Sequence, residues 1–428
     1  MITDSKTRGP SGRDFSWTLS GNATYSVCQW AFVMVLAKLG SPNDVGGYAL
    51  GIAVAAPLLT FANCQGRNLV ASDIDNRHSF GEYLGLRVLS LAAALAVVAF
   101  IALLTGKTRS ATAVICLLGL SQAFDWMSET YFGWLQKHDR LDRVGQSLML
   151  KGLLCLISMS VAMYVTRSLV WAALSLVAGR GLMLWFFDAR LSHRMAAPVK
   201  AELEFGKIAG LLRSALPLGI IAAIAAFNFN IPRYFIESDL GTRELGIFSA
   251  IASLVGAGNL IMSALANSSF VAIARAAANG DRKQYRLLAL RLLGTAGALG
   301  LAGVALSMAI GRWMLVKLFR PEYGASSGGF TRLMLAGALG YLISGQGYAL
   351  TAARVLAPQI PILVCAAATT ALFSWWLVPV GGIDGAAQAW LLSSAVTLVL
   401  SSVILARVQP GAPTTRLQTF ETASSEAA

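Results

Sequence analysis

Runs of about 20 apolar residues, separated by short polar turns, recur along this chain from Phe15 to Leu405. That length is what an α-helix needs to cross roughly 30 Å of hydrocarbon. No water is available there, so a spanning segment must satisfy its own backbone N–H and C=O groups, as a helix does. The sequence therefore predicts an all-α polytopic membrane protein. Of its 428 residues 56% are hydrophobic and only 13% charged, about half the charged share of a soluble domain.

Twelve spans are read, at about 15–37, 46–66, 84–104, 111–135, 147–166, 168–187, 214–236, 245–274, 289–310, 330–351, 358–378 and 383–405. An even number puts both termini on one side. Lys and Arg choose the side, because short cytoplasmic connections carry their excess. With the N-terminus inside, most of the 34 basic residues fall in inside segments, among them Arg67, Arg87, Lys137, Lys151, Arg190 and Lys207. The net charge of +13 is then a mark of topology and not of nucleic-acid binding. Residues 1–14 read as a polar cytoplasmic tail without a leader-peptide pattern. Residues 406–428, rich in Pro, Thr, Ser and Ala, read as a disordered tail. The longest inside connection, 188–213, joins two six-span lobes (15–187 and 214–405) and carries a candidate amphipathic helix around Ala201–Leu212.

The two lobes echo each other. The turn Lys38-Leu39-Gly40-Ser41-Pro42 leads into Val45-Gly46-Gly47-Tyr48, and 200 positions later Leu240-Gly241-Thr242 leads into Leu245-Gly246-Ile247-Phe248. Val45, Gly46 and Tyr48 lie over Leu245, Gly246 and Phe248. A hairpin that recurs after an even number of spans implies a parallel repeat. Internal repeats are common in secondary transporters, whose substrate path runs between the repeats. The hairpins fall at the outer edge, at the mouth between lobes, and read as a hinge or gate.

Polar side chains inside spans mark the candidate path, since they are expensive in lipid unless they face water or protein. Asn22, Tyr25, Ser26 and Gln29 share one face of the first span. Gln122, Asp125 and Glu129 share a face of the fourth. Asn228 and Asn230 precede Pro232-Arg233-Tyr234 in the seventh, and Asn259, Ser263 and Asn267 recur every four residues in the eighth. Arg67 follows the second span, and Arg180 sits deep in the sixth. The alternative for each amide or hydroxyl is helix–helix hydrogen bonding. Asp125 and Glu129, one turn apart, repel each other unless a cation or proton intervenes, so they are candidates for coupling to H⁺ or Na⁺; pairing with Arg67, Lys137 or Arg140 is the structural alternative. Arg233 offers a planar fork suited to phosphate oxygens, against the alternative of an interfacial arginine that snorkels. Trp17, Trp171, Trp185, Trp313, Tyr323 and Trp375-Trp376 fit interfacial aromatic belts.

Five cysteines lie singly in apolar runs and read as small buried hydrophobes. There is no Walker A, GxSxG or HExxH motif, and the three histidines fall in connections. An enzyme is not indicated, and no cofactor beyond a coupling ion is expected.

Several stretches resemble bacterial oligosaccharide flippases of the multidrug/oligosaccharidyl-lipid/polysaccharide exporter superfamily, the translocases of polysaccharide and O-antigen repeats. They are Phe15-Ser16-Trp17-Thr18-Leu19-Ser20-Gly21-Asn22, Cys28-Gln29-Trp30, Leu36-Ala37-Lys38-Leu39-Gly40-Ser41-Pro42 and Val45-Gly46-x-Tyr48-Ala49-Leu50-Gly51. Ser79-Phe80-Gly81-x-Tyr83-Leu84-Gly85-Leu86-Arg87, Leu135-Gln136, Pro232-Arg233-Tyr234 and Glu244-Leu245-Gly246-x-Phe248-Ser249-Ala250 add to them. The resemblance implies a multi-pass protein of the bacterial inner membrane, both termini cytoplasmic, whose lobes rock about a central cavity. It also implies a cargo, an undecaprenyl-pyrophosphate-linked oligosaccharide carried from the cytoplasmic to the periplasmic face. Expected partners are that lipid-linked oligosaccharide, membrane lipids, a polysaccharide polymerase and glycosyltransferases, with no nucleic acid. A multidrug or organic-cation antiporter of the same superfamily is the competing reading, kept open by Asp125 and Glu129. A membrane enzyme or scaffold of polysaccharide synthesis is a third.

Overall fold

The computed structural model describes residues 12–73, 77–105, 107–195, 201–355 and 358–408, and every regular element among them is helical. The tails, at residues 1–11 and 409–428, lie outside the described residues. Among the described residues ten helices are long and apolar enough to cross a bilayer, and two features account for the difference from twelve. Helix α1 (Gly12–Leu39) has the length, 28 residues, but its polar stripe lowers its apolarity. The last helix, α13 (Gln359–Arg407), bends at Gly382, whose φ of 57° suits a residue without a side chain. Its 49 residues therefore hold two spans. The all-α, twelve-span, two-lobed architecture read from the sequence is the observed one.

The first lobe comprises α1, α2 (Pro42–Asn63), the short α3 (Gly66–Ser72), α4 (Phe80–Leu104), α5 (Arg109–Lys137), α6 (Leu141–Thr166) and α7 (Leu169–Met183). Helix α7 runs through a π-helical turn, Leu184–Ala189, into α8 (Arg190–Met195). The second lobe comprises α9 (Phe205–Asp239), α10 (Thr242–Ala278), α11 (Arg282–Leu318), α12 (Ser327–Ala352) and α13, with a 3₁₀ turn at Pro321–Ser326. Within the first lobe α1 packs on α6 and α5 on α2, α4 and α7; within the second, α12 packs on α10, α11 and α13. The lobes meet chiefly through α2, which contacts both α9 and α10.

The echoing hairpins form that meeting point. Pro42 opens α2 at a position where a missing N–H costs nothing. Ser41 and Asp44 cap it reciprocally: Asp44 N donates to Ser41 Oγ at 3.3 Å and Ser41 N to Asp44 Oδ2 at 2.8 Å. Gly46 then lies against the Thr242 carbonyl and Gly246 against the Pro42 carbonyl, with no room for a Cβ on either. Polar bonds across the lobes surround this crossing. Lys107 pairs with Glu237, Lys38 Nζ donates to Lys317 O at 2.6 Å, and Arg320 donates to Lys38 O at 2.9 Å. One turn deeper, Tyr234 Oη donates to Ala53 O at 2.5 Å. The lobes are thus fastened at the hairpin end. Helix α10 is buried from Leu245 to Ala252, whereas Asn259, Leu260, Ile261 and Asn267 further along it are exposed.

At the opposite end the inter-lobe connection departs from the expected amphipathic helix at Ala201–Leu212. Residues 201–204 are non-helical, and α9 starts at Phe205 and continues unbroken into the span. The connection binds backbone to backbone instead: Glu202 N donates to Gly81 O at 2.9 Å, and the Glu202 carbonyl occupies the place a Cβ on Gly85 would take. Ser79 Oγ donates to Glu202 Oε2 at 3.0 Å and Lys207 pairs with Glu82 at 3.2 Å.

Two other expectations change. Arg87 and Lys151, grouped with the inside loop charges, are buried within α4 and α6. Arg87 donates to Thr130 Oγ1 at 2.8 Å and Ala62 O at 3.1 Å. Tyr323, read as interfacial, is fully buried and tilted over Phe319; the 3₁₀ turn folds it inward.

Candidate functional site

Below the hairpin crossing lies a cavity of about 430 Å³ walled mainly by α1, α2, α5, α6 and α7, with Arg233 from α9 and Ser249 and Ser253 from α10. The helical spacing read from the sequence carries much of its wall. Tyr25 and Gln29 of α1 face it, as do Gln122, Asp125 and Glu129 of α5, Arg180 of α7 and Arg233 of α9. Trp126 contributes an aromatic face.

Asp125 is the hub of the wall. Tyr25 Oη donates to its Oδ2 at 2.5 Å, Arg180 Nε lies 3.0 Å from the same oxygen, and Lys151 Nζ lies 3.5 Å from Oδ1. Lys151 also reaches Asp188 Oδ2 at 3.5 Å, and Asp188 Oδ1 accepts from Ser147 Oγ at 2.5 Å. Asp188 sits on the π turn. The extra residue in that turn breaks the ordinary 3.6-residue register, so Asp188 is wholly buried while its neighbour Trp185 is 74% exposed. Glu129, one turn below Asp125, pairs with Arg67 at 3.5 Å, and Arg67 Nε also donates to Gln136 Oε1 at 3.1 Å. Phe132 lies beneath both cations, 5.0 Å from Lys151 Nζ and 5.9 Å from the Arg67 guanidinium, within cation–π range.

These pairs answer the repulsion expected between Asp125 and Glu129: each carboxylate has its own protein cation. The geometry favours the pairing alternative for Arg67 and joins Arg180 to Asp125. Arg233 differs. It donates to Asn230 Oδ1 at 2.8 Å and lies over Phe229 at 4.9 Å, and no carboxylate pairs with it among the described residues. It faces the cavity from the fastened end, across from Tyr48.

The remaining amides stand apart from the cavity wall. Asn22 is exposed and donates to Thr18 O at 2.8 Å. Asn228 accepts from Thr370 Oγ1 at 2.8 Å, tying α9 to α13. Asn230 is buried, donates to Ala226 O, and holds Arg233. Asn259 and Asn267 lie on the exposed stretch of α10. Sequence reasoning passed over Tyr48, Thr60, Phe132, Lys151 and the buried Asp188. Lys151 carried a signal, a lone lysine in the apolar run Leu148-Met149-Leu150-Lys151-Gly152-Leu153-Leu154. Starting the span at 147 put it one turn from the interface, where a lysine snorkels; α6 begins at Leu141 and buries it. Asp188 carried none, because the π turn decides its direction.

No family model matches the chain. The fold does find counterparts. A structure of the lipid II flippase MurJ in an inward closed conformation superimposes with a TM-score of 0.75 at 11% identity, covering 91% of this chain and 87% of that one. A multidrug-resistance MATE transporter of the MOP superfamily, inward-facing, superimposes with a TM-score of 0.71 at 12% identity, covering 89% and 94%.

The chain shares the fold of these two structures.

In sequence, this chain is 24% identical over 391 residues to the capsular polysaccharide biosynthesis protein CapF of Staphylococcus aureus, covering 90% of this chain and 97% of the relative. The resemblance to polysaccharide flippases read from the hairpin and span motifs accords with that relative and with the fold. In all of these comparisons the match spans both lobes.

Proposed function

We propose that this chain is an alternating-access flippase. It moves an undecaprenyl-pyrophosphate-linked oligosaccharide repeat from the cytoplasmic to the periplasmic leaflet of the inner membrane, for surface polysaccharide biosynthesis. One observation carries the reading against an organic-cation antiporter: the cavity's carboxylates are paired, while Arg233 is a cation without a carboxylate partner. A cation site needs a free negative group; an anionic head needs a free positive one. Arg233, stacked on Phe229 and steered by Asn230, presents a fork matched to phosphate oxygens. Tyr25, Tyr48, Gln29, Gln122 and Trp126 supply the hydroxyls, amides and aromatic face that sugars need. CapF, named for capsular polysaccharide biosynthesis, and MurJ, a lipid II flippase, point the same way.

In this reading the chain is not an enzyme. Its driving force is the membrane potential or an H⁺ or Na⁺ gradient. Asp125, which holds Arg180 and Lys151, and Glu129, which holds Arg67, remain the candidates for ion coupling. Both termini are cytoplasmic, the hairpin end faces the periplasm, and the polymerase and glycosyltransferases of the pathway are neighbours in the membrane.

The test is a deletion strain complemented with variants. Deletion is expected to remove surface glycan and to accumulate lipid-linked repeats on the cytoplasmic face. Arg233→Ala is expected to lower export by about 10²-fold, equivalent to roughly 2–3 kcal/mol for a charge-assisted contact, with wild-type protein levels. Normal glycan together with new drug sensitivity in the deletion strain would refute the flippase reading in favour of the antiporter.

A further inference from the structure

A second cavity lies on the outer flank of the first lobe, away from the transport path. It is a groove of about 560 Å³ between α4, α5 and the π turn, near the end where the inter-lobe connection leaves. Leu84, Met127 and Tyr131 form its floor, and Val88 and Trp185 stand on its walls. Met127 and Tyr131 belong to the same helix as Asp125 and Glu129 but point away from the central cavity. All of these elements are membrane-spanning helices, so the groove faces the hydrocarbon and an apolar chain is its natural filling.

The polar end of the groove identifies more than a chain. Arg190 lines it, is exposed, and pairs with no carboxylate among the described residues. The π turn sets this arrangement. It rotates Asp188 into the protein interior to meet Lys151, so the acidic residue two positions from Arg190 cannot neutralise it. Trp185, 74% exposed, stands beside it as an aromatic of the kind that sits at the headgroup level. An apolar trough that ends in one unpaired arginine at the membrane boundary matches an acyl chain joined to a phosphate.

We infer that this groove is a binding site for an acidic phospholipid, with its acyl chain along Leu84, Val88 and Met127 and its headgroup phosphate on Arg190. The site is separate from the transport cavity, and its occupancy does not depend on what the central cavity carries. A lipid seated there would brace the π turn from outside, and through it the Asp188–Lys151 pair.

Native mass spectrometry of the full-length protein in detergent tests the assignment, using phosphatidylglycerol and phosphatidylcholine with identical acyl chains. Wild type is expected to retain phosphatidylglycerol in preference to phosphatidylcholine. Arg190→Gln should weaken phosphatidylglycerol binding about fivefold, the effect of one basic residue at an acidic lipid surface, and leave phosphatidylcholine unchanged. Val88→Trp, an exposed position where an indole fills the trough, should lower phosphatidylglycerol retention while preserving the unfolding temperature. Equal retention of the two lipids by wild type, or unchanged phosphatidylglycerol binding by Arg190→Gln, overturns the proposal. Preferential retention of undecaprenyl phosphate over phosphatidylglycerol, lost in Val88→Trp, overturns it too and gives the groove to the isoprenoid tail of a carried lipid.

Discussion

The glycine crossing makes a quantitative prediction about the conformational equilibrium. A methyl group on Gly46 would overlap the backbone carbonyl of Thr242, and one on Gly246 would overlap the carbonyl of Pro42. Neither nearest obstacle is a side chain that can rotate aside; both are peptide groups at the starts of helices, Thr242 opening α10 and Pro42 opening α2. Relief requires the lobes to separate at the hairpin end. Overpacking at such a contact costs about 1–3 kcal/mol, and the cost falls only on the fastened state. Gly46→Ala should therefore shift the equilibrium toward an opened hairpin end by roughly 5- to 150-fold. Gly46→Ala with Gly246→Ala should shift it by less than the product of the two, because one separation relieves both contacts. Gly256→Ala on α10 is the control, since nothing stands near its added carbon. Spin labels on Ser110→Cys and Ser238→Cys, exposed positions flanking the Lys107–Glu237 bridge, report the separation in a background lacking the native cysteines. Wild type should give a short distance, and Gly46→Ala a dominant longer one. An unchanged distance in Gly46→Ala, or the same change in Gly256→Ala, would refute the argument.

Two further outcomes follow from the buried charges and caps. Lys151→Met strips a cation from Asp125 and Asp188 together and should destabilise the folded protein by about 3–5 kcal/mol; adding Asp188→Asn should recover part of that loss, as read by thermal unfolding in detergent. At the connection before α4, burial pushes the Asp73 carboxyl upward. The Arg77 and His78 amides at 3.0 and 3.2 Å and the Tyr83 hydroxyl at 3.1 Å outweigh it and hold the carboxyl below its usual range. A depressed folded-state value means that the stabilisation is full above the unfolded value of about 3.9 and is lost as pH falls through the folded one. Amide exchange at Arg77 and His78 should accelerate over that acid window in wild type, and in Asp73→Asn it should already be fast at neutral pH and lose this transition.

Much of this protein is written in one dimension. Lipid leaves a chain few options, so the apolar runs determined an all-helical fold, their number, and two lobes. The repeated turn located the place where those lobes touch, although only the folded chain shows Gly46 and Gly246 meeting each other's backbones. Helical periodicity put Gln122, Asp125 and Glu129 on one face, because i, i+3 and i+7 is a local relation within a single helix. What each carboxylate pairs with is not local. Arg180, Lys151 and Arg67 come from three other helices, and which cation reaches which oxygen depends on helix rotations that no single span encodes. The same limit explains Asn228: its amide looked like a cavity residue by spacing, and the approach of Thr370 from α13 makes it an interhelical bond. Asp188 is the sharpest case. A regular helix and a π turn differ by one residue in register, and that difference turns a charge away from lipid toward Ser147 and Lys151 of α6 and leaves Arg190 outside without its neighbour. Sequence determined which residues could stand in a membrane; tertiary structure decided which charges they would face, since pairing is a property of distances between helices.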